Sequence, residues 1–193
     1  MHLTPKLAIA LTVSVVITLA LLGASSASPA TSAAAACKVR AYPGQPPKHT
    51  DDLELQPKYN SFPPTTGIHY SSPAKFNLYT VELPQLAIVH NLEHGGIAVQ
   101  YGRKVPAATV AKIKAWYLGD TNAVLVARLP ALGSKIALTA WNAPPYEGSS
   151  PDPGKGYVAT CSRFDAKAFT TFVKQHRYKS GERLTKSLLA RQQ

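Results

Sequence analysis

The sequence predicts an α+β fold: a small mixed or antiparallel sheet with two packed helices, wrapped by proline-rich loops. Three observations lead there. The 16 prolines and 12 glycines break the chain too often for a helical bundle or coiled coil. Apolar runs of strand length recur between those breaks. Two longer segments carry helical spacing of apolar residues together with helix-end signals. At 193 residues the chain suits one core plus a terminal segment rather than two independent cores.

The chain opens with a short basic flank at Lys6, an uncharged apolar run over 7–23 and an Ala- and Ser-rich stretch over 24–36. That order is a secretory signal, with small-residue cleavage positions near Ser26 or Ala27. The apolar run also approaches the length of a membrane span, so an uncleaved anchor is the second reading. Ala34-Ala35-Ala36-Cys37 lacks the Leu of a lipoprotein signal and lies well beyond the apolar run. The expected organisation is therefore a signal or anchor over 1–26, a flexible linker over 27–40, one domain over 41–178 and a basic tail over 179–193. Cys37 and Cys161 are the only two cysteines. In an oxidising compartment they are expected to pair, closing a loop that the chain-entropy estimate values at about 4 to 5 kcal/mol.

Within the domain, 41–84 alternates short ordered candidates with Pro-rich joints and should wrap a scaffold rather than build it. Pro63-Pro64 enforces extended backbone and Gly67 relieves the turn before Ile68-His69-Tyr70, which holds His69 in a stiff loop. Residues 86–90 have strand-like apolar character, Gly95-Gly96 is a sharp break, and 97–101 reads as a second strand. Pro106 opens a helix that Gly119 stops, with Val110, Ile113, Ala115, Trp116 and Tyr117 as its apolar side. Trp116 reads as a core wedge. Strands are expected over 123–129 and 135–141; the short turn between them, 130–133, favours antiparallel pairing of the two. Asp165 can cap a helix from Ala166 to about His176, with Ala168, Phe169, Phe172 and Val173 facing the core.

The stretch that carries chemistry is Val89-His90-Asn91-Leu92-Glu93-His94-Gly95-Gly96. On a helical turn His90 and His94 face the same way, with Cβ atoms about 6 Å apart, within reach of one metal ion. On a strand they would sit roughly 13 Å apart, too far to share one. The glutamate precedes the second histidine instead of following the first, so the HExxH zinc-protease mechanism does not transfer. Glu93 has three readings: a metal ligand, a group that orients an imidazole, or a salt-bridge partner. Adding His69 from the preceding loop completes a three-nitrogen site suited to zinc or copper, with Tyr70 and Asn91 as supporting residues.

At these residues the chain resembles a bacterial family known as domain of unknown function 3105. The resemblance rests on Tyr59-Asn60, Pro63-Pro64-Thr65-Thr66-Gly67-Ile68-His69-Tyr70, the segment from Val89 to Gly96, and Thr139-Ala140-Trp141. The family commonly has Ser then Gly-Pro before the first histidine, where this chain has Thr66, Gly67 and Ile68; Asn142 stands where Gly is usual. The resemblance implies an extracytoplasmic bacterial protein, exported across the cytoplasmic membrane and then secreted, envelope-associated or anchored. It directs attention to His69, His90, Glu93 and His94 and brings no reaction with it.

Other chemistries find little support. The Gly- and Pro-rich stretch 148–156 is one residue too long for a phosphate loop and lacks the Ser or Thr after Lys155; it reads as a solvated turn or flap. There is no GxSxG elbow, and a disulfide would consume both thiols. A formal net charge of +11 favours an anionic membrane or envelope surface as partner, and the basic stretch 174–191 is either a solvated tail or the docking element. No nucleic-acid-binding motif is present, so nucleic acid is not an expected partner. The sequence thus supports an exported, monomeric module that binds a transition metal through histidines. A metal-free envelope interaction protein and a metal-dependent hydrolase are the alternatives.

Overall fold

The computed structural model describes residues 1–2, 35–147 and 152–182. The expected signal or anchor run, residues 148–151 of the glycine-rich stretch and 183–193 of the basic tail lie outside the described residues. Among the described residues no helix is long and apolar enough to cross a membrane. Residues 35–147 and 152–182 fall in a single unit, Ala34–Gln193.

A five-stranded mixed sheet organises that unit, in the order β1-β7-β6-β4-β5. Its strands are β1 (Cys37–Pro43), β4 (Ile97–Tyr101), β5 (Val124–Arg128), β6 (Ile136–Asn142) and β7 (Lys155–Cys161). All neighbours run antiparallel except β4 and β5, which are parallel and are joined by α2 (Ala107–Gly119), as a parallel pair requires. A separate two-stranded parallel sheet pairs β2 (Lys48–Thr50) with β3 (Ile68–Tyr70). Three helices, not the expected two, pack against the sheet. The additional one is α1 (Gln85–Glu93), where a strand was expected over 86–90. Every residue from Leu86 to Glu93 is buried, so the run lacks the polar face that marks an amphipathic helix. A short run that is buried all round cannot be told from a core strand by periodicity.

Both faces of the sheet are covered over β4, β5 and β6, which is why those strands read as nearly continuous apolar runs, whereas the edge strand β1 is largely exposed. Ile97, Val99, Val126, Leu138 and Ala159 meet α2 and α3 (Ala166–His176) through Ile113, Tyr117, Phe169, Phe172 and Val173. Ala98, Leu125, Ala127 and Trp141 meet α1 through Ile88, Val89 and Leu92, with Phe76 between. Asp165 caps α3 as expected, accepting from the Ala168 amide at 3.0 Å. Trp116 is half-buried, edge-on to Phe169, and donates its indole N–H to Thr170 Oγ1 at 3.1 Å, while Ala115 of the expected apolar side is exposed.

The expected β5–β6 pairing does not form, because β4 lies between them. Their connection, the 3-10 turn Pro130–Leu132, steps over the end of β4 instead of closing a hairpin. The Gly102 amide donates to Lys135 O there, and a Cβ on Gly102 would lie 2.1 Å from the Gly133 carbonyl.

The ends are tied in more tightly than the sequence suggests. Residues 37–40, expected in the linker, are part of β1, and Cys37 is disulfide-bonded to Cys161, its cross-strand partner in the register. At the other end the Lys179 and Gly181 carbonyls accept from the Ala143 and Tyr146 amides at 3.0 and 2.9 Å. This strap, in the segment expected as a tail, carries Glu182 to the histidines described next.

Candidate metal centre

The site is assembled by α1 and the small β2–β3 sheet. As the helical alternative required, His90 and His94 stand one turn apart, with His94 at the C-cap of α1 and the two Nε2 atoms 2.9 Å apart. Gly95 takes φ 85°, a left-handed conformation that ends the helix at little cost. At Gly96 a Cβ would lie 2.4 Å from the Phe76 ring, so a larger residue would push the chain off the core. The register of β2 and β3 sets His49 directly beside His69.

His49, His69 and His90 form a cluster able to coordinate a metal ion, each offering a ligand atom within 4.8 Å of the others. A tetrahedral ion with bonds of about 2.0–2.1 Å needs donors about 3.3 Å apart, so only a small closure is required. The His49 ring stacks on His90 with centroids 5.0 Å apart, and the His69 ring is edge-on to both. His69 is wholly buried and backed by Trp141, whereas the His49 side chain is 54% exposed and opens the cluster to solvent.

The backbone selects the tautomers. Nδ1 of His69 lies 2.8 Å from Gly67 O, and Nδ1 of His90 lies 2.5 Å from Tyr70 O. A carbonyl only accepts, so both Nδ1 atoms carry the proton, and in the neutral imidazole this leaves the lone pair on Nε2, facing the centre. Burial, reinforced by the neighbouring His94 and His69, pushes His90 down to about 4 despite the opposing pull of the Tyr70 carbonyl and Glu93. Its imidazole is therefore neutral at pH 7, the form that binds metal.

Glu93 Oε2 approaches His69 Nε2 to 2.8 Å and His49 Nε2 to 3.7 Å. Despite the first distance, neither His69 Nε2 nor Glu93 Oε2 has a hydrogen-bond partner among the described residues. The two atoms are close without being aligned for a hydrogen bond, as two ligands converging on a common point would be. The other carboxylate oxygen, Oε1, accepts from the Tyr146 hydroxyl at 3.2 Å. Burial, with the Glu93 charge adding to it, raises the Tyr146 phenol above its usual range and keeps it a donor. His94 Nε2 also faces Glu182 Oε2 at 3.1 Å, and that hydrogen bond lowers the Glu182 carboxyl below its usual value.

The sequence-derived set is thus rearranged. His69 and His90 belong to the cluster. His94 touches its edge through His90, and Glu93 faces it. Tyr70 contributes its carbonyl, while Asn91 pins the loop below by bonding both the N–H and the C=O of Ala74. The sequence reading missed His49, Tyr146 and Glu182. Only the pairing of two three-residue strands brings His49 in, and neither KHT nor IHY announces the other.

No curated protein and no solved structure matches the chain. Residues 52–187 match the model of the family described as Protein of unknown function (DUF3105). That span holds His69, His90, Glu93 and His94 but begins after His49, and on it the chain belongs to this family.

Proposed function

We propose that this domain binds a transition-metal ion, zinc or copper, through His49, His69 and His90 with Glu93 as a further ligand, and that it does so outside the bacterial cytoplasm. One observation carries the metal reading. His69 Nε2 and a carboxylate oxygen of Glu93 stand 2.8 Å apart in a buried site, without the alignment of a hydrogen bond. A neutral imidazole and a carboxylate held that way repel one another, and a bound cation removes the repulsion. Imidazole with carboxylate is a donor set for zinc and copper(II). The extracytoplasmic location is supported by the apolar run behind Lys6 and by the disulfide, which persists in oxidising compartments. The surplus of basic residues supports contact with an anionic membrane or envelope surface.

The test is elemental analysis of purified protein after dialysis against zinc or copper(II), with the affinity measured by competition with a chelator. Wild type should retain stoichiometric metal. His49→Ala, at a largely exposed position, should fold as wild type and bind at least tenfold more weakly. Wild type that emerges metal-free from both dialyses would overturn the proposal.

A further inference from the structure

Six donor groups converge at the end of α1: the imidazoles of His49, His69, His90 and His94 and the carboxylates of Glu93 and Glu182. One tetrahedral ion takes four. The distances divide the six into two sets of three. In one, Glu93 Oε2 lies 2.8 Å from His69 Nε2 and 3.7 Å from His49 Nε2. In the other, His94 Nε2 lies 2.9 Å from His90 Nε2 and 3.1 Å from Glu182 Oε2.

The same lone-pair arithmetic applies to both sets. The Tyr70 carbonyl fixes the proton of His90 on Nδ1, so His90 Nε2 only accepts; the Glu182 carboxylate also only accepts. A single N–H at His94 Nε2 points at only one of these two neighbours at a time. A cation satisfies all three. In the first set His69 Nε2 and Glu93 Oε2, both buried, have no hydrogen-bond partner among the described residues.

We infer that the centre is binuclear, with one ion on His49, His69 and Glu93 and a second on His90, His94 and Glu182. This deepens the metal-binding reading and rests on it, with His90 moved from the first ion to the second. Two imidazoles and one carboxylate form a three-donor set that leaves positions open on each ion. His90 offers a ligand nitrogen within 4.8 Å of those of His49 and His69, so the two sets abut. Ion separations of about 3.5–4 Å are the usual spacing of two-metal sites. Two divalent ions against two carboxylates leave a net positive centre. The open positions therefore suit a bridging oxygen anion, whether hydroxide, carboxylate or phosphate. Glu182 enters on the strap from the Ala143–Tyr146 side, so the second ion would also tie this C-terminal segment to α1.

The test uses the full chain, stripped with chelator and reloaded with copper(II), with metal counted by elemental analysis and read by electron paramagnetic resonance. Two ions per chain and a spectrum broadened by spin coupling are expected. Glu182→Gln and His49→Ala alter side chains that are 27% and 54% exposed, so both should melt as wild type. Each should hold one ion per chain and give the sharp spectrum of isolated copper(II). Glu182→His, which restores a donor, should recover the second ion. One ion per chain in wild type and Glu182→Gln alike would overturn the binuclear assignment while leaving the single-ion reading standing. No bound ion in any of them would overturn both.

Discussion

His49 and His69 sit side by side in the cluster but differ sharply in exposure. His69 is wholly buried and locked by the Gly67 carbonyl, whereas His49 is over half exposed, so their substitutions should separate binding from folding. His69→Ala should lose metal and also stability, by about 2–3 kcal/mol, because it opens a cavity beside Trp141. Chemical denaturation of the metal-free protein measures that loss, and His49→Ala should be within about 0.5 kcal/mol of wild type by the same measurement. Tyr146→Phe removes the one described hydrogen bond to Glu93 Oε1 and should weaken metal binding about tenfold, read by chelator competition. At this scale the sequence was partly legible. His90 and His94 are marked by their spacing and the double glycine, and His69 by the stiff loop around it. His49 has no local signal, since its position beside His69 is a property of strand register, which three-residue strands do not encode in their pattern.

At the scale of elements, α3 and α1 show when pattern suffices. α3 has a capping aspartate, an apolar stripe and an exposed face, and its limits follow from the sequence. Removing the cap with Asp165→Ala should cost about 1 kcal/mol, measured by urea unfolding. α1 is buried all round, so its residues carry no period to read, and the i,i+4 geometry that joins His90 to His94 could only be posed as an alternative to a strand. α3 also ends on a buried histidine. His176 packs between Phe172 and Tyr157, and burial lowers its pKa from the usual 6.5, with Lys179 adding to the effect. The unfolded chain therefore takes up this proton at a higher pH than the folded chain. Stability from this site is complete above the usual imidazole value and is lost as pH falls through the folded-state pKa. Nuclear magnetic resonance titration of the His176 ring should give a midpoint below 6.5; a midpoint at or above that value would contradict the burial argument.

At the scale of the whole molecule, the disulfide and the strap close the fold on itself. The Cys37–Cys161 bond links residues 124 apart, which the chain-entropy estimate values at about 5 kcal/mol. Reduction should therefore lower the denaturation midpoint markedly while leaving the distant histidine centre able to bind metal in the folded fraction. The α+β class, a mixed or antiparallel sheet and the disulfide follow from composition, strand-length runs and cysteine count. The strand order does not, because the insertion of β4 between β5 and β6 depends on long-range packing that short turns fail to announce. The histidine cluster is the product of that topology, joining segments from three parts of the chain. The most direct test is a crystal of the zinc-soaked protein measured above and below the zinc absorption edge. The account predicts an anomalous peak about 2.0–2.1 Å from imidazole nitrogens of this histidine cluster. A fully loaded soak with no peak there, and with His69 and Glu93 rotated into a direct hydrogen bond, would contradict it.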